Sequence, residues 1–219
     1  GYRNLSVDVL GEVTNYRGTA LASARDVVIG APSATVTLPP VVVSEENCSS
    51  CHNELRFHGG GRLGLTACLL CHGTAGSEDR PQYVSANGAK TQGVTIDFRT
   101  MLHKIHMGKA LSKAKTYTVV GFGGSPHTYG EVVFPAQPGA AKHCAKCHVG
   151  ESWKDPKARD HPTQQGTPTG VWRATCASCH DADAIQAHVG VNTYLGSESC
   201  ATCHGAGAEQ AVEQVHRIR

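Results

Sequence analysis

The sequence predicts a chain that is mostly coil, with short α-helices packed on bound prosthetic groups and a short β segment at its amino end. Two observations support this fold class. Aromatic residues make up only 5% of the 219 residues, while glycine and proline number 25 and 10, so the side chains alone would fill a conventional core poorly. All 10 cysteines fall into Cys-x-x-Cys pairs, and a histidine directly follows every pair.

The repeated Cys-x-x-Cys-His motif identifies the prosthetic group. A disulfide framework or a zinc ribbon has no need of a histidine at that place each time. Covalent attachment of haem c needs all three residues, because two thiols bind the porphyrin vinyl groups and the imidazole binds the iron. The sequence therefore predicts a multihaem cytochrome c with five covalently bound haem c groups. The predicted thioether residues are Cys48, Cys51, Cys68, Cys71, Cys144, Cys147, Cys176, Cys179, Cys200 and Cys203, and the predicted proximal iron ligands are His52, His72, His148, His180 and His204.

Two regions are expected. Residues 1–47 carry no haem motif, and the stretches NLSVDVLGEV and SATVTLPPVVV are rich in β-branched residues, which predicts a few strands. A segment this short makes a poor independent domain, so we expect the end of a β domain or an assembly arm, with an extended tail as the alternative. Residues 48–219 are expected to form a pentahaem c-type cytochrome domain.

The motifs define a degenerate internal repeat. Residues 48–72 and 176–204 each hold two closely spaced motifs with a free histidine between them, and the third motif lies between the repeats. A histidine-bearing stretch with helical character follows each repeat, DFRTMLHKIHMG and AEQAVEQVHRIR, and ADAIQAHV is a further helix candidate. ELRF is expected to form a helical turn, and TYGEVVF a hairpin.

Each haem iron has a second axial position to fill. Eight histidines lie outside the motifs, whereas the chain has only two methionines, Met101 and Met107, so most sites cannot be His/Met. His103 and His106 are three residues apart and project from nearby sides of one helix, which suits two neighbouring haems. The predicted distal ligands are His58, His103, His106, His188 and His216. His127, His143 and His161 are then spare, with His143 the first substitute.

His58 is expected to bind a haem other than the one attached beside it. It lies six residues after His52, and six extended residues span at most ~20 Å. To reach the same iron, this short peptide would have to wrap a porphyrin edge and return on the opposite face. The same argument applies to His188, which follows His180 by eight residues.

Charge and hydropathy limit the possible partners. The formal net charge is +2, but five haems bring propionates that would make the holoprotein negative, so the basic residues do not predict nucleic-acid binding. Arg56, Arg62, Arg99, Lys104 and Lys109 are expected to pair with propionates or face solvent. No run approaches the roughly 20 apolar residues of a membrane span. Haem c is attached outside the cytoplasm, so we expect a processed mature chain or a fragment, extracytoplasmic, at the cell surface or secreted rather than periplasmic.

The elements CSSCHNELRFHGGGR, MLHKIHMGK, VVFPAQPGAAKHCAKCHVG, CASCHDADAIQAH and ESCATCHG together resemble the outer-membrane multihaem cytochromes of the OmcA/MtrC type. In that family two pentahaem domains alternate with β domains, and residues 48–219 resemble one pentahaem module, the C-terminal one. The second pentahaem half and most of the β domains have no counterpart here. The resemblance implies closely spaced bis-histidine haems that pass electrons to minerals, flavins or partner cytochromes. Copies of the same chain are a further expected partner, if the chain forms a filament.

Three functions follow from these patterns. An electron carrier is favoured over an enzyme, because bis-histidine irons have no open site, although metal reduction at exposed haem edges is compatible with it. A multihaem reductase would need a five-coordinate haem, and the eight extra histidines make an open site unnecessary. A subunit of an extracellular cytochrome filament is the alternative, with the strands of residues 1–47 added to a neighbouring sheet.

Overall fold

The computed structural model describes residues 3–9, 12–23, 25, 29–30, 41–72, 94–121, 124–135, 140–154 and 171–217, with side chains from residue 19 onward. At the amino end, β1 (Arg3–Val9) pairs with β2 (Glu12–Gly18) as an antiparallel hairpin, in register from Arg3 opposite Gly18 to Val9 opposite Glu12. The strand prediction for NLSVDVLGEV is therefore confirmed. Most of SATVTLPPVVV lies outside the described residues, so its strand prediction stays a prediction.

The helices are short, as predicted, and the longest in the described ranges has 10 residues. They are α1 (Glu45–Ser49), α2 (Leu65–His72), α3 (Phe98–Met107), α4 (Val171–Cys176), α5 (Asp183–Val191), α6 (Cys200–His204) and α7 (Val212–Val215). Single turns of 3₁₀-helix lie at Gly108–Ala110, Ala114–Thr116, Ala140–Lys142 and Cys144–Lys146. Within the described residues, no helix is long and apolar enough to span a membrane.

The helix α3 has a defined start and stop. The Asp97 carboxylate accepts hydrogen bonds from the backbone amides of Arg99 (3.2 Å) and Thr100 (3.5 Å), so the amino end is capped. Gly108 ends the helix with a φ of 43°, and a side chain there would collide with the backbone of Val132. These ends fix the helix that carries two of the predicted distal ligands.

Three small antiparallel hairpins connect the helices. They are β3 (Arg56–Phe57) with β4 (Arg62–Leu63), β5 (Thr118–Val120) with β6 (Pro126–Thr128), and β7 (Thr193–Tyr194) with β8 (Ser197–Glu198). The first corrects the expected helical turn at ELRF: Arg56 and Phe57 form a strand, because His58 (φ 54°), Gly59 and Gly60 adopt positive φ and turn the chain back.

The hairpin expected around TYGEVVF lies earlier in the chain, between residues 118 and 128. Residues after Thr128 pack against the end of α3 instead of pairing with a strand. The Val132 carbonyl accepts a hydrogen bond from the Lys109 amide at 2.8 Å, and the missing side chain of Gly108 leaves room for Val132. This tertiary contact is invisible in the local sequence pattern.

The apolar core of the described part is small. Leu111, Tyr117 and Val119 form its buried centre. Partly buried side chains pack around it from Val94, Ile96, Ile105, Met107, Ala114 and Tyr129. A core of this size agrees with the expectation that the protein's own side chains do not fill the interior of the domain.

Candidate functional site

Each Cys-x-x-Cys-His motif folds as one helical turn. In the first, third and fourth motifs the histidine amide bonds the carbonyl of the first cysteine, as His148 does to Cys144 at 3.0 Å. The second motif forms the end of α2, and the fifth motif makes up the whole of α6. Because residues four apart lie on one face of a helix, the first cysteine and the histidine of each motif share a side, as attachment and ligation of one haem require.

No disulfide bond joins any of the ten motif cysteines, as their use in haem attachment requires. Burial raises the pKa of several of them, for example that of Cys144, and raises the pKa of Cys176 to about 11. A catalytic or metal-binding cysteine instead has a lowered pKa, because it acts as the thiolate. No group of three or more His, Cys, Asp or Glu comes together as a metal site in the described ranges.

The five predicted proximal histidines each face one predicted distal histidine. The centroids of the paired imidazole rings are separated by 6.1 Å for His52 and His106, 6.1 Å for His72 and His58, 6.1 Å for His148 and His103, 5.9 Å for His180 and His216, and 6.3 Å for His204 and His188. We number these pairs site 1 to site 5 by the motif that supplies the proximal histidine. Every predicted ligand belongs to one pair, and no predicted ligand is left over.

The spacing fits an iron between the two rings. Two imidazoles that bind one metal ion at about 2 Å on opposite sides place their centroids roughly 6 Å apart. Rings in direct van der Waals stacking would lie closer together. Burial, followed by the charges of His148 and Arg99, lowers the pKa of His103 to about 4, so this ring is neutral, the form that coordinates a metal.

His58 pairs with the proximal histidine of site 2 and not with His52. It occupies the turn between β3 and β4, and its ring lies parallel to that of His72 at an interplanar angle of 11°. In the second repeat, His188 lies on α5 and pairs with His204 rather than His180. In both repeats the free histidine therefore lies beside the histidine of the second motif rather than that of the first. That it binds a haem there stays a prediction.

Helix α3 carries predicted distal histidines of two sites. His106 faces His52 and His103 faces His148, so two neighbouring faces of one helix meet two different motifs. In site 4, His216 lies directly after α7. The expected helical stretches after both repeats therefore place histidines opposite the first motif of the repeat they follow.

The spare histidines take different positions. His127 lies in β6, exposed, and His143 is half-buried, with an Nδ1 atom that has no hydrogen-bond partner among the described residues. Neither is in one of the five ring pairs. His127 is nevertheless near site 2, because its charge, after burial, His72 and Arg62, contributes to lowering the pKa of His58. His161 lies outside the described residues.

Site 1 and site 3 are joined by the peptide that precedes the first motif. The Asn47 side-chain amide donates to the carbonyls of Cys147 and His148, each at 3.3 Å. Val43 forms an antiparallel bridge with His148, and the Val149 amide donates to the Val42 carbonyl at 2.9 Å. Sequence analysis did not find these contacts, since about one hundred residues separate the partners.

The motif cysteines lie close enough for one thiol to raise the pKa of another, and these pairs show which motifs are neighbours. After burial, the pKa of Cys147 is raised by Cys48 and Cys51, while Cys48 also raises the pKa of Cys68. The fourth motif has neighbours on both sides. After burial, Cys144 of the third motif contributes to raising the pKa of Cys179, and Cys200 of the fifth motif to raising the pKa of Cys176. The motifs thus adjoin in the order second, first, third, fourth, fifth.

Two glutamates that the sequence analysis missed link the motifs of each repeat. Glu45, three residues before the first motif, accepts a hydrogen bond from the Leu65 amide at the start of α2 (3.0 Å). Glu198, two residues before the fifth motif, accepts from the amides of Trp172 (2.9 Å) and Arg173 (2.6 Å) at the start of α4. Each carboxylate thus satisfies otherwise unpaired amide donors at the amino end of the helix that bears the other motif of its repeat.

A buried carboxylate also anchors the chain beside site 4. Asp181 directly follows His180 and accepts hydrogen bonds from the amides of Ser112 (2.7 Å) and Lys113 (3.0 Å). Lys113 additionally forms an ion pair with Asp183. The loop after α3 is therefore tied to the fourth motif. The aspartate at this position is visible in the sequence, but its partners are not.

Motif geometry and facing imidazoles define the class of protein as a c-type cytochrome with covalent haem. Residues 41–217 match the family model for outer-membrane cytochromes of the MtrC/MtrF-like type, domains II/IV. The chain belongs to this family, as the motif pattern predicted.

A comparison with solved structures gives the same fold. The crystal structure of the outer-membrane decahaem cytochrome OmcA matches with a TM-score of 0.56 and 24% sequence identity, over 96% of this chain and 28% of OmcA. The chain thus spans less than a third of the length of that protein. No curated protein sequence matches it.

Proposed function

We propose that this chain conducts electrons through five bis-histidine haem c groups. The observation that carries the proposal is the set of five facing imidazole pairs, each separated by 5.9–6.3 Å and each formed by one motif histidine and one free histidine. The distal ligands in this proposal are His106, His58, His103, His216 and His188 for sites 1 to 5.

The residues of the chain have three tasks in this function. The motif cysteines would hold each haem covalently, and the two histidines of each pair would bind its iron. Haem c, when bound, supplies one-electron redox chemistry at low potential, because two imidazoles favour the ferric state. With both axial positions filled, no iron offers a substrate site, so the chain is an electron carrier and not an enzyme with an open haem.

The order of the motifs supports a continuous path. Second, first, third, fourth and fifth motifs adjoin in turn, and Asn47 joins the first to the third through two hydrogen bonds. Electrons entering at the second or fifth motif would pass every other site. A single chain of neighbours has two ends, and these are the places where electrons would be exchanged with partners.

The cellular role we propose is extracellular electron transfer at the cell surface. Membership of a family of outer-membrane cytochromes supports it. Partners would be other multihaem cytochromes, with metal oxides or flavins as acceptors. A filament subunit is the alternative: the described amino-terminal sheet has two strands, and a lone two-stranded hairpin is marginally stable, which favours its addition to a neighbouring sheet.

The proposal is tested on the holoprotein in two measurements. A pyridine haemochrome assay is expected to give five haems per chain, and electron paramagnetic resonance (EPR) of the oxidised protein is expected to show only low-spin iron. Addition of cyanide or carbon monoxide should leave the spectrum unchanged. A count of two or three haems, or a high-spin component that binds cyanide, would contradict the proposal. Negative-stain microscopy separates dispersed molecules from filaments.

A further inference from the structure

The five ligand pairs differ in what their Nδ1 atoms contact. Four pairs contain one ring whose Nδ1 lies at hydrogen-bond distance from a backbone carbonyl. These contacts are His106 to Leu102 at 2.8 Å, His72 to Ile96 at 2.7 Å, His216 to Val212 at 3.0 Å, and His204 to Gln210 at 3.0 Å. Each carbonyl can accept the proton that remains on Nδ1 when Nε2 binds iron.

Site 3 departs from this pattern. His148 Nδ1 faces only the hydroxyl of Ser152, at 3.3 Å, and that hydroxyl itself donates to the Val42 carbonyl at 2.9 Å. His103 Nδ1 is buried and has no hydrogen-bond partner among the described residues. Of the five pairs, this is the one without a backbone carbonyl acceptor in the described part of the chain.

The acceptor matters because it changes how strongly the ring donates electrons. A carbonyl that accepts the Nδ1 proton gives the imidazole partial imidazolate character and makes it a more basic ligand. A more basic ligand stabilises the ferric state and lowers the potential. Weak or missing acceptors have the opposite effect, so the pair in site 3 stabilises ferric iron less than the other four pairs do.

Burial acts in the same direction at site 3. The Nδ1 atom of His103 is buried and has no hydrogen-bond partner among the described residues. The low polarity of a buried position disfavours the more positive ferric iron, so burial and the weak Nδ1 contacts both favour the ferrous state at this site.

We propose that site 3, held by His103 and His148, has the highest midpoint potential of the five haems, and that Ser152 is a positioning residue that sets it. This inference rests on the proposed function. The third motif adjoins the first on one side and the fourth on the other. An electron that enters at either end of the path of haems would therefore reside at site 3, in the middle of that path.

An EPR-monitored redox titration of the holoprotein tests this. Sites 2 and 3 have nearly parallel rings, at 11°, and are expected to give rhombic low-spin signals, whereas the rings of the other pairs are inclined at 61° to 86°. The component reduced first as the potential falls should be rhombic. It should shift upward in Ser152→Ala, downward in Ser152→Asp, and stay near the wild-type value in Ser152→Thr, which keeps the hydroxyl.

Ser199→Asp is the control for added charge, because Ser199 is exposed, precedes the fifth motif and contacts Asn192 rather than an axial ring. It should leave the first-reduced component in place. The inference is overturned if that component is not rhombic, if the Ser152 variants do not move it, or if Ser199→Asp moves it equally. Fewer than five haems or high-spin iron in the wild type would instead contradict the proposed function.

Discussion

The two repeats, residues 48–72 and 176–204, connect their sites in the same way on different backbones. In both, the free histidine between the motifs faces the histidine of the second motif, and a histidine beyond the repeat faces that of the first. In the first repeat the free histidine sits in the β3–β4 turn, whereas in the second it sits on α5. Ligand position is thus retained where local structure is not.

The difference shows where the geometric constraint lies. The imidazole ring has to lie opposite its partner at a fixed separation. A turn or a helix can serve equally well, provided that its backbone places the ring at that position. The third motif breaks the symmetry of the repeats, because it draws its partner from α3, which carries two histidines, whereas the stretch formed by α7 and His216 carries one. Three residues before His216 the chain has Glu213, where α3 has His103 three residues before His106. The extra histidine, His103, faces the histidine of the third motif and so belongs to site 3.

The largest expected effect comes from removing the free histidine of either repeat. His58→Ala and His188→Ala should each leave five haems bound, because the cysteines and proximal histidines remain, but convert one haem to high spin. The change is measured by haemochrome count and by the high-spin EPR signal, with His127→Ala as the control that changes neither. A fully low-spin His58→Ala protein would mean that His58 is not a ligand and that His143 is the next candidate.

The two histidines of α3 provide a sharper test, since they lie on one helix but belong to different pairs. His103→Ala should remove a rhombic low-spin signal, because its ring is within 11° of parallel to that of His148. His106→Ala should instead remove a highly anisotropic signal, because its ring is inclined at 81° to that of His52. The same signal lost in both variants would contradict the assignment of His103 and His106 to separate haems.

A smaller effect is expected from substituting Glu45 and Glu198, each of which accepts hydrogen bonds from the amino end of a helix of its repeat. Glu198→Ala should lower the free energy of unfolding by about 2 kcal/mol and Glu45→Ala by about 1 kcal/mol, because Glu198 is half-buried and accepts two amide hydrogen bonds, while Glu45 is exposed and accepts one. Urea unfolding of the holoprotein measures both. Equal losses would mean that the number of accepted bonds does not set the effect.

The smallest effects are expected from glycine substitutions in the turn of the first repeat and in the helix of the second. Gly60→Ala should cost about 1 kcal/mol, since Gly60 has a φ of 81° that L-residues rarely adopt. Gly190→Ala should stabilise by about 0.5 kcal/mol, since Gly190 lies in α5 with open space around a Cβ atom. Thermal unfolding of the two variants should move in opposite directions; a stabilised Gly60→Ala protein would show that the turn is not formed.

The haem motifs could be predicted from the sequence because the residues that attach one haem lie within five consecutive positions. Sequence reasoning also named the ten histidines that the fold brings into pairs, since few other residues could fill the axial positions. It could not assign partners beyond separating His58 from His52 and His188 from His180, and those assignments stay predictions. ELRF and TYGEVVF were misjudged because a glycine turn and a contact with α3, respectively, decide their structure. Glu45 and Glu198 were missed because their partners are 20 or more residues away.

If the facing histidines bind haem as we propose, their pairing also orders the maturation of the protein in time. A chain made from its amino end can close site 2 once residue 72 has emerged, but site 1 must wait for His106. Likewise site 5 is complete at His204, while site 4 waits for His216. On that assignment, the haem that can be attached first in each repeat would be the last to gain its second histidine, so it would spend part of assembly with one face open to other ligands.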